Sequence, residues 1–347
     1  MGNEPKYYDG TKILSMKDID GEDPELYIVT TNRTAGKTTY FGRLVVNKFL
    51  KGQGKFGLLY RFNYELDAVA DKFFKDIHSL FFPAYEMASK RQANGIYHEL
   101  FLNGEPCGYA ITINSADQIK KNAHLFSDIE RIIFDEFQSE TDHYCADEVT
   151  KFQSIHKSIA RGQGKQVRRV PVYMLANTVS LLNPYYVEMG ISQRIQKDTK
   201  FMRGPGFVLE RTRNESAAKA QEQSGFNKAF ANSTYEKYAR DAGYLNDNEA
   251  FIEKPSGVGR YLLTIKYRGT EYAVREYADA GVIYVDTRVD KDFKIKIVVD
   301  KDDHEINFVM LRKNDILINN LRYFFEHGAL RFRDLKCKEA VIACIAY

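Results

Sequence analysis

The sequence predicts an α/β protein with a mostly parallel N-terminal sheet and a smaller, β-rich C-terminal domain. Over the first 200 residues, short apolar runs alternate with longer amphipathic ones, a pattern typical of a parallel sheet covered by helices on both faces. After about residue 250, apolar runs follow one another closely with Gly-containing turns between them, which is typical of paired strands. With 44% hydrophobic and 28% charged residues among 347, the chain is able to bury a core in each part.

The apolar runs of the first part predict a set of strands and helices. The strands are expected at residues 26–30, 56–60, 131–134 and 172–176, and the helices at about 37–51 and 64–80. Asn103-Gly104 lies between two further apolar runs, at 97–102 and 108–113, and this dipeptide between such runs predicts a hairpin.

The second part has a different pattern. Residues 215–244 are rich in Ala, Glu, Lys, Gln and Asn and are expected to form a helical connection. Strands are then expected at 261–267, 271–277, 282–285 and 293–299, and helices at 316–327 and 335–347. We therefore expect an N-terminal domain at 1–205, a linker at 206–248 and a C-terminal domain at 249–347.

Composition excludes several classes of protein. No apolar run approaches the roughly 18–20 residues that cross a membrane, and the polar N-terminus resembles neither a signal nor a transit peptide. The four cysteines are scattered, which argues against a zinc site or a disulfide framework and favours the cytosol. A net charge of +3 is too small to indicate nucleic-acid binding by itself, so DNA contacts would need local basic clusters.

A P-loop-like segment lies between the first expected strand and the first expected helix. It retains the Gly-Lys-Thr end of the P-loop consensus, although Thr31 stands where the first glycine is usual. Such a loop wraps its N–H groups around phosphate at a helix N-terminus, with Lys37 reaching the β- and γ-phosphates and the Thr38 hydroxyl binding Mg²⁺. The expected nucleotide-binding residues are Thr31, Asn32, Arg33, Thr34, Ala35, Gly36, Lys37, Thr38 and Thr39.

Two adjacent carboxylates end the buried run at 129–137. Ligands bind at the C-terminal tips of parallel strands, so Asp135 is expected to hold Mg²⁺ and Glu136 to polarise the attacking water. A glutamate directly after the aspartate favours ATP hydrolysis, while the base-reading motifs of GTPases are not found in a plausible place. The distance from the loop to the acids leaves room for an intervening strand, and residues 56–60 are a candidate.

Two polar residues farther along have an open interpretation. Asn177 ends the strand at 172–176 and either senses the γ-phosphate or closes the strand into a turn. Arg161 precedes a basic loop and is either a finger toward a neighbouring subunit or, as the residues alone favour, part of a solvated helix C-terminus.

The chain resembles the DNA-packaging ATPases, or encapsidation proteins, of small protein-primed podophages. Four features support the resemblance: Arg33 within the P-loop, Phe-Asp-Glu-Phe at 134–137, Asn-Thr-Val-Ser-Leu-Leu-Asn-Pro-Tyr-Tyr at 177–186, and in the second part Phe-Ile-Glu-Lys at 251–254 with Tyr-Val-Asp-Thr at 284–287. Thr31 and Thr34 depart from the family's glycine-rich loop.

The resemblance implies a motor that moves double-stranded DNA into a viral procapsid in the host cytoplasm. It implies a ring, of five subunits, docked on the portal, and it leaves open whether a structural RNA bridges motor and capsid. Each subunit would have a P-loop ATPase domain of the additional-strand, catalytic-glutamate type, a helical linker and an RNase H-like C-terminal domain. The resemblance also implies that Arg161 is the finger acting in trans and that Lys121 lies at the subunit interface.

Further expectations concern DNA. A motor must grip every sequence, so its contacts should be to phosphates, with Lys90, Arg91, Lys165, Arg168 and Arg169 as candidates, each of which could equally be a solvated charge. Asp286 and Asp290 lie near strand ends but form no convincing acidic triad, so a nuclease-like fold without nuclease activity is expected.

The alternatives are a helicase or another DNA translocase, a structural nucleotide-binding module, and, more remotely, a small-molecule kinase. Tyr7 and Tyr8 are candidates for contacting the adenine of ATP.

Overall fold

The computed structural model divides the chain into two compact units. One contains Met1–Val179 and Asp198–Gly243, and the other contains Ser180–Lys197 and Tyr244–Tyr347. The structure describes residues 7–140, 143–162, 164–179, 183–192, 194–195, 199–230, 254–299, 301–310 and 316–345. Within these residues, no helix is both long and apolar enough to cross a membrane.

The first unit contains nine strands among its described residues. They are β1 (Leu26–Thr31), β2 (Lys55–Tyr60), β3 (Met87–Gln92), β4 (Tyr97–Leu102), β5 (Glu105–Thr112), β6 (Ile129–Asp135), β7 (Val172–Asn177), β8 (Phe201–Gly204) and β9 (Phe207–Thr212). The α-helices of the first unit that precede β8 are α1 (Thr11–Ser15), α2 (Lys37–Leu50), α3 (Asn63–Phe81), α4 (Ala116–Lys121) and α5 (Glu148–Ala160).

The nine strands form one sheet in the order β3-β4-β5-β2-β6-β7-β1-β9-β8. Its centre, from β5 to β9, is parallel. The central strands are mostly buried and each contains an apolar run, as expected where helices cover both faces. The predicted mostly parallel α/β fold is therefore confirmed.

The order of the central strands selects the subclass of P-loop fold. Strand β7 lies between β1, which leads into the P-loop, and β6, which ends in the two acids. The strand predicted at 56–60 exists as β2, but it pairs with the far side of β6. The additional strand that separates loop and acids in the sheet is thus β7. Because β1, β6 and β7 are parallel, their C-terminal tips meet at one edge.

An antiparallel extension completes one side of the sheet. Strands β4 and β5 form the predicted hairpin, with Asn103 and Gly104 at φ 50° and 77°, the left-handed conformations that a tight hairpin turn requires. No strand was predicted for the polar stretch before this hairpin. It forms the edge strand β3, whose Lys90 lies opposite Glu99.

A core of buried aromatic and aliphatic side chains fixes helix α2 on the sheet. Phe41, Val45 and Val46 of α2 are buried in one cluster with Val29 of β1 and Leu175 of β7. Packing of this apolar face holds the N-terminus of α2 at the edge where the strand tips meet.

After β9, the first unit continues with α7 (Glu215–Gln223) and α8 (Gly225–Ala229). The side chain of Asn214 caps α7 by accepting a hydrogen bond from the Ala217 N–H at 2.8 Å. Helix is therefore present in the first half of the segment predicted to be helical, residues 215–244. Residues 231–244, the remainder of that segment, lie outside the described residues.

The described residues of the second unit form a separate sheet. Its strands are β10 (Arg260–Tyr267), β11 (Thr270–Tyr277), β12 (Val282–Asp286), β13 (Lys296–Val298), β14 (Val309–Met310) and β15 (Leu330–Phe332). Its helices are α6 (Pro184–Glu188), α9 (Ile316–Glu326) and α10 (Leu335–Ile345).

The topology of this second sheet agrees with the predicted RNase H-like domain. Strands β10, β11 and β12 are sequential and antiparallel, while β13 and β14 lie parallel on the other side of β10. Strand β15 adds to the outer edge of β12. Helices α9 and α10 contribute Phe325, Val341 and Ile345 to the apolar core beneath the sheet.

Candidate nucleotide site

The P-loop connects the tip of β1 to the start of α2. Thr31 and Asn32 are buried at the strand end, and the loop then turns through two left-handed residues, Thr34 at φ 60° and Gly36 at φ 90°. Gly36 is the residue that precedes α2. Left-handed turns of this kind direct successive N–H groups into one concavity, where an anion binds at a helix N-terminus. The loop therefore makes two left-handed turns directly before the N-terminus of α2, although Thr31 replaces the first glycine.

Lys37 is the first residue of α2 and is only 8% exposed. Its ammonium donates a hydrogen bond to Asn177 Oδ1, 2.7 Å away, so the polar residue predicted at the tip of β7 directly contacts the P-loop lysine. Burial lowers the pKa of Lys37, and the nearby carboxylates of Asp135 and Glu136 oppose this shift. The ammonium therefore lies near the acids at the tip of β6 and the amide at the tip of β7.

Asp135 ends β6 beside the first turn of α2. Its carboxylate is hydrogen-bonded by the Thr38 side chain, and burial raises the pKa of Asp135 while Lys37 opposes the shift. A hydroxyl and a carboxylate in contact at a phosphate loop are the oxygen donors that Mg²⁺ uses in nucleotide sites, with water completing its shell. Thr38 and Asp135 therefore fit the predicted magnesium site.

Glu136 has an unusual backbone conformation. Its φ is 55°, in the left-handed region that glutamate rarely adopts, and its side chain is exposed. Such strain costs on the order of 1–3 kcal/mol and persists only where the surroundings enforce it. Arg61 Nη2 provides part of that restraint, since it donates to the carbonyl oxygens of Glu136 and Phe137 at 3.3 and 3.0 Å.

Arg61 was not predicted from the sequence. It follows β2 and its Nε contacts both carboxylate oxygens of Glu148 on α5, at 3.0 and 2.8 Å. Both side chains are buried, at 6% and 1% exposure. The ion pair fixes the guanidinium that holds the turn carrying Glu136, so Arg61 acts as a positioning residue.

A second ion pair lies on the other side of the same turn. Arg33 of the P-loop pairs with Glu140, which also accepts a hydrogen bond from the Asn177 amide at 3.1 Å. Arg33, Glu140, Asn177, Arg61 and Glu136 together line a cleft of about 250 Å³. The geometry therefore unites three predicted residues with two that the sequence did not reveal.

The P-loop is also held from its outer side by the segment that follows β9. Asn32 and Asn214 exchange hydrogen bonds of 3.1 and 2.8 Å between side chain and backbone. Gln221 of α7 donates to the Arg33 carbonyl at 3.1 Å and to the Thr34 hydroxyl at 3.0 Å. Asn32 is thus a structural anchor of the loop.

Tyr7 and Tyr8 lie beside the P-loop in different environments. Tyr8 is buried, its N–H donates to the Ala35 carbonyl at 2.7 Å, and its hydroxyl donates to Glu210 at 2.5 Å. Tyr7 is 60% exposed, and its ring is about 3.5 Å from the position that a Cβ on Gly36 would occupy. Only Tyr7 of the two presents an accessible ring beside the loop.

The predicted interface residues are exposed. Arg161 directly follows α5, in extended conformation at φ −84° and ψ 140°, and Lys121 is the last residue of α4. Helices α4 and α5 pack against each other. Both residues are therefore accessible to another molecule.

The five candidate DNA contacts have different environments. Lys90 and Arg91 are exposed on β3, and Lys165 is exposed in the loop after α5. Arg169 is exposed but donates to the Pro24 carbonyl at 2.6 Å. Arg168 was expected to be a DNA contact or a solvated charge, and it is neither exposed nor solvated. It is 6% exposed, with its guanidinium bonded inside the protein, because this position faces backbone carbonyls rather than solvent.

Asp286 and Asp290, the acids predicted near strand ends of the second unit, have different environments. Asp286 is 3% exposed and paired with Arg275 at 2.6 Å. Asp290 Oδ1 accepts a hydrogen bond from the N–H of Asp292 in an exposed turn. Among the residues that the structure describes, no group of three or more His, Cys, Asp and Glu side chains could hold a metal ion.

The sheet order, the P-loop and the tip of β6 define a P-loop NTPase of the additional-strand, catalytic-glutamate class. A sequence profile of the podovirus DNA encapsidation protein (Gp16) family matches residues 3–345, and the chain belongs to this family. The resemblance expected from the sequence is thereby confirmed.

The similar proteins are phage packaging proteins. The DNA packaging protein of Bacillus phage phi29 is 26% identical over 345 residues, covering 98% of this chain and 96% of the relative. That of Bacillus phage B103 is 26% identical over 316 residues, covering 89% and 93%.

Two solved structures share the fold. The bacteriophage Phi-29 viral genome packaging motor assembly matches with a TM-score of 0.59 and 24% identity, covering 99% of this chain and 98% of that one. The Phi-28 gp11 DNA packaging motor matches with a TM-score of 0.62 and 14% identity, covering 98% of each chain.

Proposed function

We propose that this protein is an ATP-hydrolysing motor that moves double-stranded DNA into a viral procapsid. The observation that carries the proposal is the meeting of Lys37, Asp135 and Glu136 at one edge of the sheet, with Asn177 of β7 bonded to Lys37 at 2.7 Å. This is the arrangement of a site that binds the phosphates of ATP and directs water at the terminal one. Membership of the DNA encapsidation family supports DNA as the cargo.

Each residue of the site has a proposed role. The P-loop N–H groups and Lys37 bind and orient the phosphates. Thr38 and Asp135 hold Mg²⁺, which when bound neutralises charge on the β- and γ-phosphates. Glu136, exposed beside the cleft, orients the attacking water and accepts its proton. Asn177 holds the ammonium of Lys37 at the tip of β7 through their hydrogen bond.

We propose that the active form is a homo-oligomeric ring, of five copies, docked on the portal of the procapsid in the host cytoplasm. Arg161 is accessible at the end of α5, and we assign it as a finger that completes the ATP site of a neighbouring copy. Such a finger contributes about 10³–10⁵ in rate. Lys121, exposed at the end of α4, would lie on the same interface.

Phosphate contacts from Lys90, Arg91, Lys165 and Arg169 are proposed to grip DNA independently of sequence. Arg168 is not included, because its guanidinium is bonded to the protein's own backbone.

Subunit mixing tests the proposal. Glu136→Gln removes the water-orienting carboxylate, and Arg161→Ala removes the finger. Each variant alone should be inactive, and a mixture should regain DNA-stimulated ATP turnover because intact catalytic sites then meet intact fingers. If the mixture stays inactive while each variant still binds ATP and assembles, the finger in trans is rejected. A requirement for procapsids in DNA uptake, with no strand separation, distinguishes the packaging motor from a helicase.

A further inference from the structure

The loop after α5 has a buried arginine at its base. Arg168 is 6% exposed, whereas Arg161, Lys165 and Val167 of the same loop are exposed. The loop thus leaves the protein after Ala160 and returns to it at Arg168.

Arg168 contacts the end of α5 at two places. Its N–H donates to the Ala160 carbonyl at 2.8 Å, and its Nη2 donates to the Ile159 carbonyl at 3.0 Å. The last carbonyls of a helix have no partner within the helix, and a cation near them is stabilising. These two residues directly precede Arg161, so Arg168 fixes the chain at the point where Arg161 begins.

The other side of the guanidinium contacts the segment that enters β6. Its Nη2 also donates to the carbonyls of Ser127 and Ile129, at 2.7 and 3.1 Å, and its Nη1 pairs with Glu130 at 2.8 Å. One side chain therefore joins the end of α5 to the start of the strand that ends in Asp135 and Glu136.

Gly162 brings the loop against the same segment. It has φ 136°, and a Cβ at this position would lie 2.9 Å from the Ser127 Cβ. Gly162 also exchanges backbone hydrogen bonds with Lys165, at 3.3 and 3.0 Å. Arg161 thus lies between two fixed points of the chain. Before it is the end of α5, which Arg168 caps, and after it is the closely packed Gly162.

We infer that Arg168 is a positioning residue that sets the direction in which Arg161 leaves the protein. The inference deepens the proposed function and rests on it, because Arg161 is assigned there as the finger in trans. Arg168 would act on the neighbouring copy's ATP site only through Arg161. A displacement of about 1 Å in a catalytic group costs about 10²-fold in rate, so Arg168→Ala should lower DNA-stimulated turnover by about that factor.

The contacts of Arg168 at the start of β6 suggest an alternative role, because β6 ends in the catalytic acids of the same subunit. In that role Arg168 would support the ATP site of its own subunit instead of the finger. Subunit mixing separates the two roles. If Arg168 positions the finger, Arg168→Ala mixed with Glu136→Gln regains turnover, since the second variant supplies sound fingers. The mixture of Arg168→Ala with Arg161→Ala stays inactive, since neither variant has a finger in place.

The opposite pattern overturns the inference. If Arg168 serves its own subunit's site, turnover returns on mixing with Arg161→Ala and does not return on mixing with Glu136→Gln. Failure of the proposed function is recognised separately, because the reference mixture of Arg161→Ala with Glu136→Gln would then show no recovery.

Two further variants keep the test independent of folding. Arg131→Ala is the matched control, since Arg131 is also buried, at 7% exposure, and donates to the carbonyls of Gln53 and Gly54 just before β2. It should lower the melting temperature like Arg168→Ala and remain active alone. Gly162→Ala disturbs the loop but leaves the carbonyls that Arg168 binds with their donor, unlike Arg168→Ala. It should give the same mixing pattern as Arg168→Ala, and normal turnover of Gly162→Ala alone would count against the inference.

Discussion

The P-loop lysine and the tip of β7 are directly bonded: Lys37 Nζ donates to Asn177 Oδ1 at 2.7 Å. The amide of Asn177 in turn donates to Glu140 at 3.1 Å, which pairs with Arg33 of the P-loop. Asn177 therefore connects the P-loop lysine to the acidic turn after β6, and its substitution should affect catalysis and binding differently.

Asn177→Ala removes one hydrogen bond to Lys37. A hydrogen bond between neutral groups contributes about 0.5–1.5 kcal/mol to stability, and one to a charged group contributes more. ATP affinity should change less than about threefold, and turnover should fall about tenfold. Asn177→Asp should weaken ATP binding, because a carboxylate would hold the ammonium against the phosphates. Calorimetric titration with a non-hydrolysable ATP analogue checks this, and equal affinities for the Ala and Asp variants would contradict it.

Glu136→Gln should abolish most hydrolysis while leaving ATP binding intact, because the amide keeps the size of the side chain but accepts no proton. Loss of a positioned base costs about 10²–10⁴ in rate. Single-turnover hydrolysis and nucleotide titration measured on the same preparation separate the two effects. Turnover above a tenth of the wild-type rate would remove Glu136 from its assigned role.

Breaking the buried pair of Arg61 and Glu148 should destabilise the first unit strongly. Removing one member of such a pair costs about 3–5 kcal/mol, whereas replacing both by apolar residues of similar size costs much less. Glu148→Gln should therefore lower the free energy of unfolding more than the double variant Arg61→Met, Glu148→Met. Urea denaturation measures both. The double variant should still lose turnover, since Arg61 also holds the carbonyls of Glu136 and Phe137.

Tyr7→Ala should weaken the binding of ATP but not of inorganic tripolyphosphate. The exposed ring beside Gly36 is the proposed stacking partner of the base, and stacking on an aromatic side chain is worth about 1–3 kcal/mol. Tyr7→Phe retains the ring and should bind as the wild type does. Displacement of a fluorescent ADP analogue by each ligand provides the measurement. An equal loss for ATP and tripolyphosphate would assign Tyr7 to the shape of the loop instead.

The second unit is predicted to have no nuclease activity. Asp286 is paired with Arg275 at 2.6 Å, and a two-metal nuclease needs several clustered acids free to bind metal. Supercoiled plasmid incubated with the protein and Mn²⁺ should remain intact. Nicking that disappears in Asp286→Ala would contradict this prediction.

The strands could be predicted where burial on both faces leaves a continuous apolar run. Strands β1, β6 and β7 are of this kind, and the Asn103-Gly104 turn identified the β4–β5 hairpin. Strand β3 was missed because its sequence, Met-Ala-Ser-Lys-Arg-Gln, is polar and alternates in exposure at the edge of the sheet. An edge strand is defined by its partner, which no local pattern reveals.

The site was predictable where a motif specifies a local conformation, as at Lys37 and Asp135. Arg61 and Glu148 are 87 residues apart, and Asn32 and Asn214 are 182 apart, so only the folded sheet brings them together. Arg168 illustrates the same point. Its basic surroundings in the sequence indicate a solvated loop, but carbonyls of Ser127 and Ile129, 41 and 39 residues earlier, also bind it.

The central claim is that hydrolysis at this site drives DNA movement, and ATP turnover as a function of added double-stranded DNA tests it most directly. The purified protein should hydrolyse ATP faster as DNA is added, at any DNA sequence, and Glu136→Gln should show neither basal nor stimulated turnover. Turnover that is unaffected by DNA over a wide range of salt concentrations, or stimulation that persists in Glu136→Gln, would contradict the account.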